Sequence, residues 1–131
     1  MPLEFINPDD LPTPESYTQV VVASGSRLVF VAGQVAEDAR GELVAPADLA
    51  GQARQAFANL GHALKAAGAE PRQVARITIY VVGARPEYLP LISAARIAVF
   101  GDHKPADPLL GVERLAEPGY LIEVDAIAVL D

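Results

Sequence analysis

Apolar and polar positions set the elements along this chain. The first sixteen residues hold Pro2, Pro8, Pro12 and Pro14 with Asp9-Asp10. That texture predicts an extended arm over residues 1–16 rather than a separate domain. Thr18 to Ala23 and Arg27 to Ala32 are β-branched, apolar runs separated by Ser24-Gly25-Ser26, which predicts a β-hairpin. From Leu49 the period changes. Leu49, Ala53, Ala56, Phe57, Leu60, Ala63, Leu64 and Ala67 recur at steps of three and four and form one face of a helix. Gln52, Arg54, Gln55, Asn59 and Lys65 take the other positions, with Pro46 at the first turn and Gly68 at the stop.

Val74 to Val82 alternates Arg76, Thr78 and Tyr80 with Ala75, Ile77, Ile79 and Val81, so a strand with one core face and one wetter face is expected. A second helix is predicted from about Pro86 to Phe100 on the stripe Tyr88, Ile92, Ala95 and Val99, with Gly101 as its stop. Two further strands follow, Leu109 to Leu115 and Tyr120 to Leu130, with Glu117-Pro118-Gly119 as the turn between them. The order ββαβαββ describes an α+β two-layer sandwich with both helices on one sheet face. A sheet of this size leaves its second face open, and the apolar residues on both faces of the last strand point to another subunit as its cover.

Length and composition narrow the class. At 131 residues the chain is one domain, and 51% hydrophobic residues supply a core. With no cysteine, disulfides and thiolate chemistry are excluded. Ten Lys and Arg against 17 Asp and Glu give a net charge of −7, which repels phosphate backbones and anionic lipid. Neither nucleic acid nor membrane is an expected partner. No apolar run approaches the ~20 residues of a bilayer span, and the first residues lack the basic and apolar regions of a signal peptide. A cytoplasmic protein is expected.

Candidate chemistry is sparse. His62 and His103 lie far apart and outside any ligand spacing, so no metal site is predicted, and His62 reads as a surface residue. No nucleotide-cradling glycine loop and no GxSxG elbow occurs, so no cofactor is predicted. Glu123 and Asp125 stand out. Two apart in an apolar strand, they share one face. A carboxylate there needs either a basic partner, such as Arg76 or Arg114, or a polar pocket where it orients or deprotonates a water. Tyr17, where the arm ends, reads as a packing residue with a hydrogen-bonding tip.

Four segments, in order, resemble the RidA (YjgF) family of small trimeric proteins, whose best-known members hydrolyse reactive enamines and imines. Pro14-Glu-Ser-Tyr-Thr-Gln-Val20 is similar to the family's Gly-Pro-Tyr-Ser-Gln segment, and Val31-Ala-Gly-Gln-Val35 to its Ser-Gly-Gln-Ile run. Gln52 to Leu60 with Ala67-Gly68 resembles its long helix, and Gly111-Val-Glu-Arg-Leu115 with Ile122 to Ala128 its C-terminal signature. The resemblance implies a chorismate-mutase-like fold and a homotrimer that binds a small molecule in intersubunit clefts. It implies Glu123 as the catalytic residue that places the hydrolytic water, and Tyr17 and the backbone at Gly33 as ligand contacts.

Several positions depart from the pattern. Asp107 stands where deaminating members carry an arginine that clamps the substrate carboxylate, and the loop leading to it from Phe100 is shorter. Ser93 replaces asparagine, Arg96 replaces tyrosine and Ala32 replaces serine. Losing a bidentate arginine contact removes roughly 1.5–3 kcal/mol of anion binding. The expected function is therefore hydrolytic deamination of a small enamine or imine with an altered, non-carboxylate preference, with Asp107, Ser93 and Arg96 as ligand-binding residues. Arg96 and Arg114 are the alternative cations for an anionic ligand. The other expectation is a non-catalytic trimer that binds a metabolite or partner protein in the same cleft. Ribonuclease labels attach to some relatives, but the net charge argues against RNA.

Overall fold

The computed structural model describes residues 3–131, so Met1 and Pro2 of the arm lie outside the described residues. The elements are β1 (Leu3–Ile6), β2 (Val20–Ala23), β3 (Arg27–Gln34), α1 (Leu49–Ala66), β4 (Val74–Val82), α2 (Leu89–Phe100), β5 (Leu109–Val112) and β6 (Ile122–Leu130). Single 3₁₀ turns at Pro71–Gln73 and Pro86–Tyr88 lead into β4 and α2. The α+β class and the two-helix layer are as expected.

Three expectations about pairing and boundaries need correction. The arm contains a strand: β1 pairs antiparallel with β2 as a separate two-stranded sheet. The predicted hairpin is absent, because β3 pairs with β6 and not with β2. Ser24-Gly25-Ser26 is instead a corner between sheets, where Ser26 N–H donates to the Leu130 carbonyl (3.0 Å). A Cβ on Gly25 would lie 2.4 Å from that same oxygen, so only glycine allows this approach. The last two strands are likewise not neighbours. β5 ends at Val112 and pairs parallel with β4, while β6 lies between β3 and β4 in the order β3-β6-β4-β5. A parallel pair needs a long crossover, and α2 supplies it.

β6 holds the centre because its helix-side residues, Ile122, Val124, Ala126, Ala128 and Leu130, are all buried. They pack with Ile77, Ile79 and Val81 of β4, with Ala53, Phe57, Leu60 and Leu64 of α1, and with Ile92, Ala95 and Phe100 of α2. Asp48, not Pro46, sets the start of α1: its side chain caps Gly51 N–H (3.1 Å). Gly68, with φ +76°, ends the helix, and Ala69 N–H closes back on the Leu64 carbonyl (2.9 Å). Gln52, placed among the polar positions by the sequence pattern, is completely buried. Its Nε2 donates to Ala45 O (3.3 Å) and Gly119 O (2.9 Å), and its Oε1 accepts from Leu121 N–H (2.9 Å). It ties the loop before α1 to the start of β6.

The other sheet face is open. Leu28 and Phe30 of β3, 59% and 70% exposed, flank a strip in which Glu123 and Asp125 of β6 face Tyr80 and Thr78 of β4. Apolar surface at that exposure suits a protein-covered face better than a solvated one.

Candidate functional site

The open strip carries the first half of the site. Strand alternation puts Glu123 and Asp125 on one face, as the sequence predicts. Their surroundings differ. Asp125 accepts from Thr78 N–H (3.2 Å) and the Tyr80 hydroxyl (3.2 Å). The expected ion pairs with Arg76 and Arg114 are not formed; among the described residues the one ion pair within 4.0 Å is Arg72 with Glu70. Backbone and phenol donors have replaced the arginines.

Glu123 lies against Gly33. The β3–β6 register shifts between Val31 and Gln34, and the kink brings the Gly33 backbone onto the carboxylate. A Cβ at Gly33 would stand 2.0 Å from Glu123 Oε2. Burial, and then Asp125, pushes the Glu123 carboxyl above the usual carboxylate range. A half-buried carboxylate raised in this way is suited to take a proton from water.

The second half is a cavity of about 840 Å³ beside α2. Tyr17, Ser93, Arg96 and Asp107, four of the expected ligand-binding residues, all line it. Thr18, next to Tyr17, is buried, and its Oγ1 donates to the Lys104 carbonyl (2.5 Å). Thr18 N–H reaches Pro105 O (3.4 Å). The arm is thereby strapped to the loop that carries Asp107. On its other side that loop lies along β4, with Ala106 N–H donating to Ala75 O and Ile77 N–H to Ala106 O, both at 3.0 Å. Ile79, Leu89, Ile92, Ile97 and Leu109 supply the apolar wall.

Electrostatically the cavity is divided. Asp107 is pushed up to about 6 by burial, with Arg96 and then Arg76 pulling it back. Arg96 is buried, and that burial lowers its pKa against the opposing attraction of Asp107. Glu123 and Gly33 do not line this cavity, so in one chain the half-buried carboxylate and the cavity stand apart.

Sequence reasoning missed Thr18 and the Tyr80–Asp125 pair. A threonine after the tyrosine carries no local signal, whereas Tyr80 and Asp125 on facing strands become readable once β4 and β6 are paired. The histidines stay outside both halves. His62 is exposed, and His103 Nε2 lies 2.7 Å from the Val74 carbonyl with its ring edge-on to Phe5. Among the described residues no group of three His, Asp or Glu side chains could hold a metal, and no helix is long and apolar enough to cross a membrane.

Residues 9–130 match the family model described as Endoribonuclease L-PSP. The chain belongs to the RidA (YjgF) family. A Yersinia pestis member of the Rid family, YyfB, of unknown function, superposes with a TM-score of 0.92 at 39% identity, covering 99% of this chain and 100% of that one. The Escherichia coli YjgF structure gives 0.68 at 28% identity over 96% and 98%. A rat protein named 2-iminobutanoate/2-iminopropanoate deaminase is 31% identical over 87% of this chain and 80% of its own. Family membership and fold rest on these likenesses. At this identity they support deaminase chemistry at the family level.

Proposed function

We propose that this chain is a hydrolytic deaminase of a small imine or enamine, working in the cytoplasm as a homotrimer. The observation that carries the reading is Glu123: a half-buried carboxylate, its pKa raised, resting on the Gly33 backbone. Water adds to the C=N carbon while Glu123 accepts its proton. The carbinolamine then collapses, the C–N bond breaks, and the proton returns to the leaving nitrogen. The products are a carbonyl compound and ammonia, and the step needs no redox partner. An enamine first takes a proton on carbon to become the imine.

In this reading the two halves meet between protomers. The open face with Leu28, Phe30 and Glu123 is covered by a neighbour, whose cavity holds the ligand through Tyr17, Ser93, Arg96 and Asp107. Asp107 in the clamp position gives this chain a substrate preference unlike that of deaminating members with an arginine there. The test is hydrolysis of imines generated in situ from a panel of anionic, uncharged and cationic amines. Glu123→Gln is expected to abolish the acceleration while ligand binding persists. Equal rates in the variant and the wild type refute the role of Glu123. Saturable binding with no acceleration of any imine assigns the cleft to a binding protein instead.

A further inference from the structure

Glu123 and Asp125 share one strand face, both half-buried, and are held in opposite ways. Asp125 has a donor on each oxygen: Thr78 N–H on Oδ1 and the Tyr80 hydroxyl on Oδ2, both at 3.2 Å. The Glu123 carboxylate accepts no hydrogen bond among the described residues and rests on the Gly33 backbone. The register sharpens the contrast. Thr78 stands opposite Asp125, but Tyr80 stands opposite Glu123. The phenol therefore passes the carboxylate it faces and donates to the next one along, a diagonal that an aromatic side chain can span.

Two donors fix the Asp125 carboxylate in place, so its charge bears steadily on the unbonded carboxylate two positions away. Burial, and then Asp125, raise the Glu123 carboxyl. Burial, and then Asp125, also raise the Tyr80 hydroxyl, which keeps it a donor at neutral pH. The remaining charged group on this face is Arg76 of β4, which borders Asp125 and Thr78 without an ion pair within 4.0 Å. From β3, Glu123 meets the Gly33 backbone and no charge. When neighbouring carboxylates are given unlike surroundings, one is left to exchange protons and the other to act as a fixed charge.

Building on the proposed role of Glu123 as the base, we propose that Asp125 is a positioning residue: pinned by Tyr80 and Thr78, it is the fixed anion that makes the unbonded Glu123 carboxylate the proton acceptor for water. Glu123 works only when ionised, so the rate rises with pH through its pKa. A neighbouring anion disfavours ionisation and moves that rise to higher pH, where the carboxylate is the stronger base.

The test separates charge from shape in the assembled protein. Asp125→Asn keeps the shape and an acceptor oxygen but removes the charge. It is expected to move the acid limb of imine hydrolysis down by about half a pH unit or more, with kcat at the plateau reduced and KM unchanged. Asp125→Glu keeps the charge and should hold the limb near its wild-type position. Tyr80→Phe should lower kcat without moving the limb downward, since Asp125 is then held by one donor. A merely structural aspartate gives the reverse pattern, with Asn near wild type and Glu disruptive, and that result overturns the inference. Tyr80→Phe at the wild-type kcat removes Tyr80 from it.

A carboxyl-carbon NMR titration of Glu123, its signal assigned by loss in Glu123→Gln, reads the same displacement without substrate. A Glu123 titration that moves down in Asp125→Asn, in a protein that hydrolyses no imine, refutes the deaminase reading alone. Turnover that depends on Glu123, with both limb and titration unmoved in Asp125→Asn, refutes this inference alone.

Discussion

Replacing Gly33 by alanine puts a methyl group where the Glu123 carboxylate now lies. The added Cβ would be 2.0 Å from Oε2, 2.6 Å from Cδ and 2.9 Å from Cγ, whereas ordinary contact begins at 3.4 Å. The carboxylate must retreat by about 1.4 Å to reach that distance. A displacement near 1 Å of a positioning group costs about 10²-fold in rate, so turnover of a good imine substrate should fall about 100-fold or more. Stability should hardly change. The clash is with the far end of a flexible side chain, Gly33 lies outside the left-handed region, and Gly→Ala at a compatible position gains about 0.4–1 kcal/mol through the unfolded state. The assay is imine hydrolysis against an enzyme-free control, with thermal unfolding in parallel. Gly33→Ala and Glu123→Gln act through one carboxylate, so the double variant should be no slower than the slower single one. Full activity in Gly33→Ala refutes the reasoning, as does a loss that tracks a large drop in Tm.

Two further outcomes concern stability. Gln52→Ala strands two carbonyls and one N–H in the interior and should cost about 2–3 kcal/mol in urea unfolding; a loss under about 1 kcal/mol would show that water replaces the glutamine. Asp107 gives a pH signature. Its folded pKa, about 6, lies above the ordinary 3.8, so below pH 4 it is neutral in both states, and between about pH 4 and 6 the unfolded chain ionises while the folded one keeps its proton. Stability therefore falls across that window and stays lowered above it. Arg96, Arg76, Lys104 and the acidic Glu15 and Asp102 surround the group or its cavity. Asp107→Asn should melt higher than the wild type at pH 7.5, with the gap closing toward pH 3.5; a constant gap would mean that Asp107 is not the titrating group.

What the sequence determined is what neighbours in the chain decide. The three-and-four spacing from Leu49 to Ala67 and the glycine after it specify α1 and its end, because helix bonds and the left-handed C-terminal turn are local. The alternation from Ile122 to Leu130 puts Glu123 and Asp125 on one face for the same reason. The resemblance in four segments brought Tyr17, Gly33, Ser93, Arg96, Asp107 and Glu123 into view. Arg96 carried a further legible sign: it lies four residues after Ile92, on the buried stripe of α2.

Only the tertiary structure decided partners. Ser24-Gly25-Ser26 announces a turn, but whether β3 then meets β2 or β6 depends on which edge is free about a hundred residues later. Gln52 reads as a surface residue until Gly119 and Leu121 come to it. The cavity depends likewise on Thr18 strapping Lys104 and on β4 holding Ala106, contacts across 86 and about 30 residues. Whether Arg96 is paired, and whether Asp107 keeps its proton, follows from how far those distant elements remove each group from water and bring it toward another charge. Burial and Coulomb attraction are sums over three-dimensional neighbours, and sequence spacing carries neither.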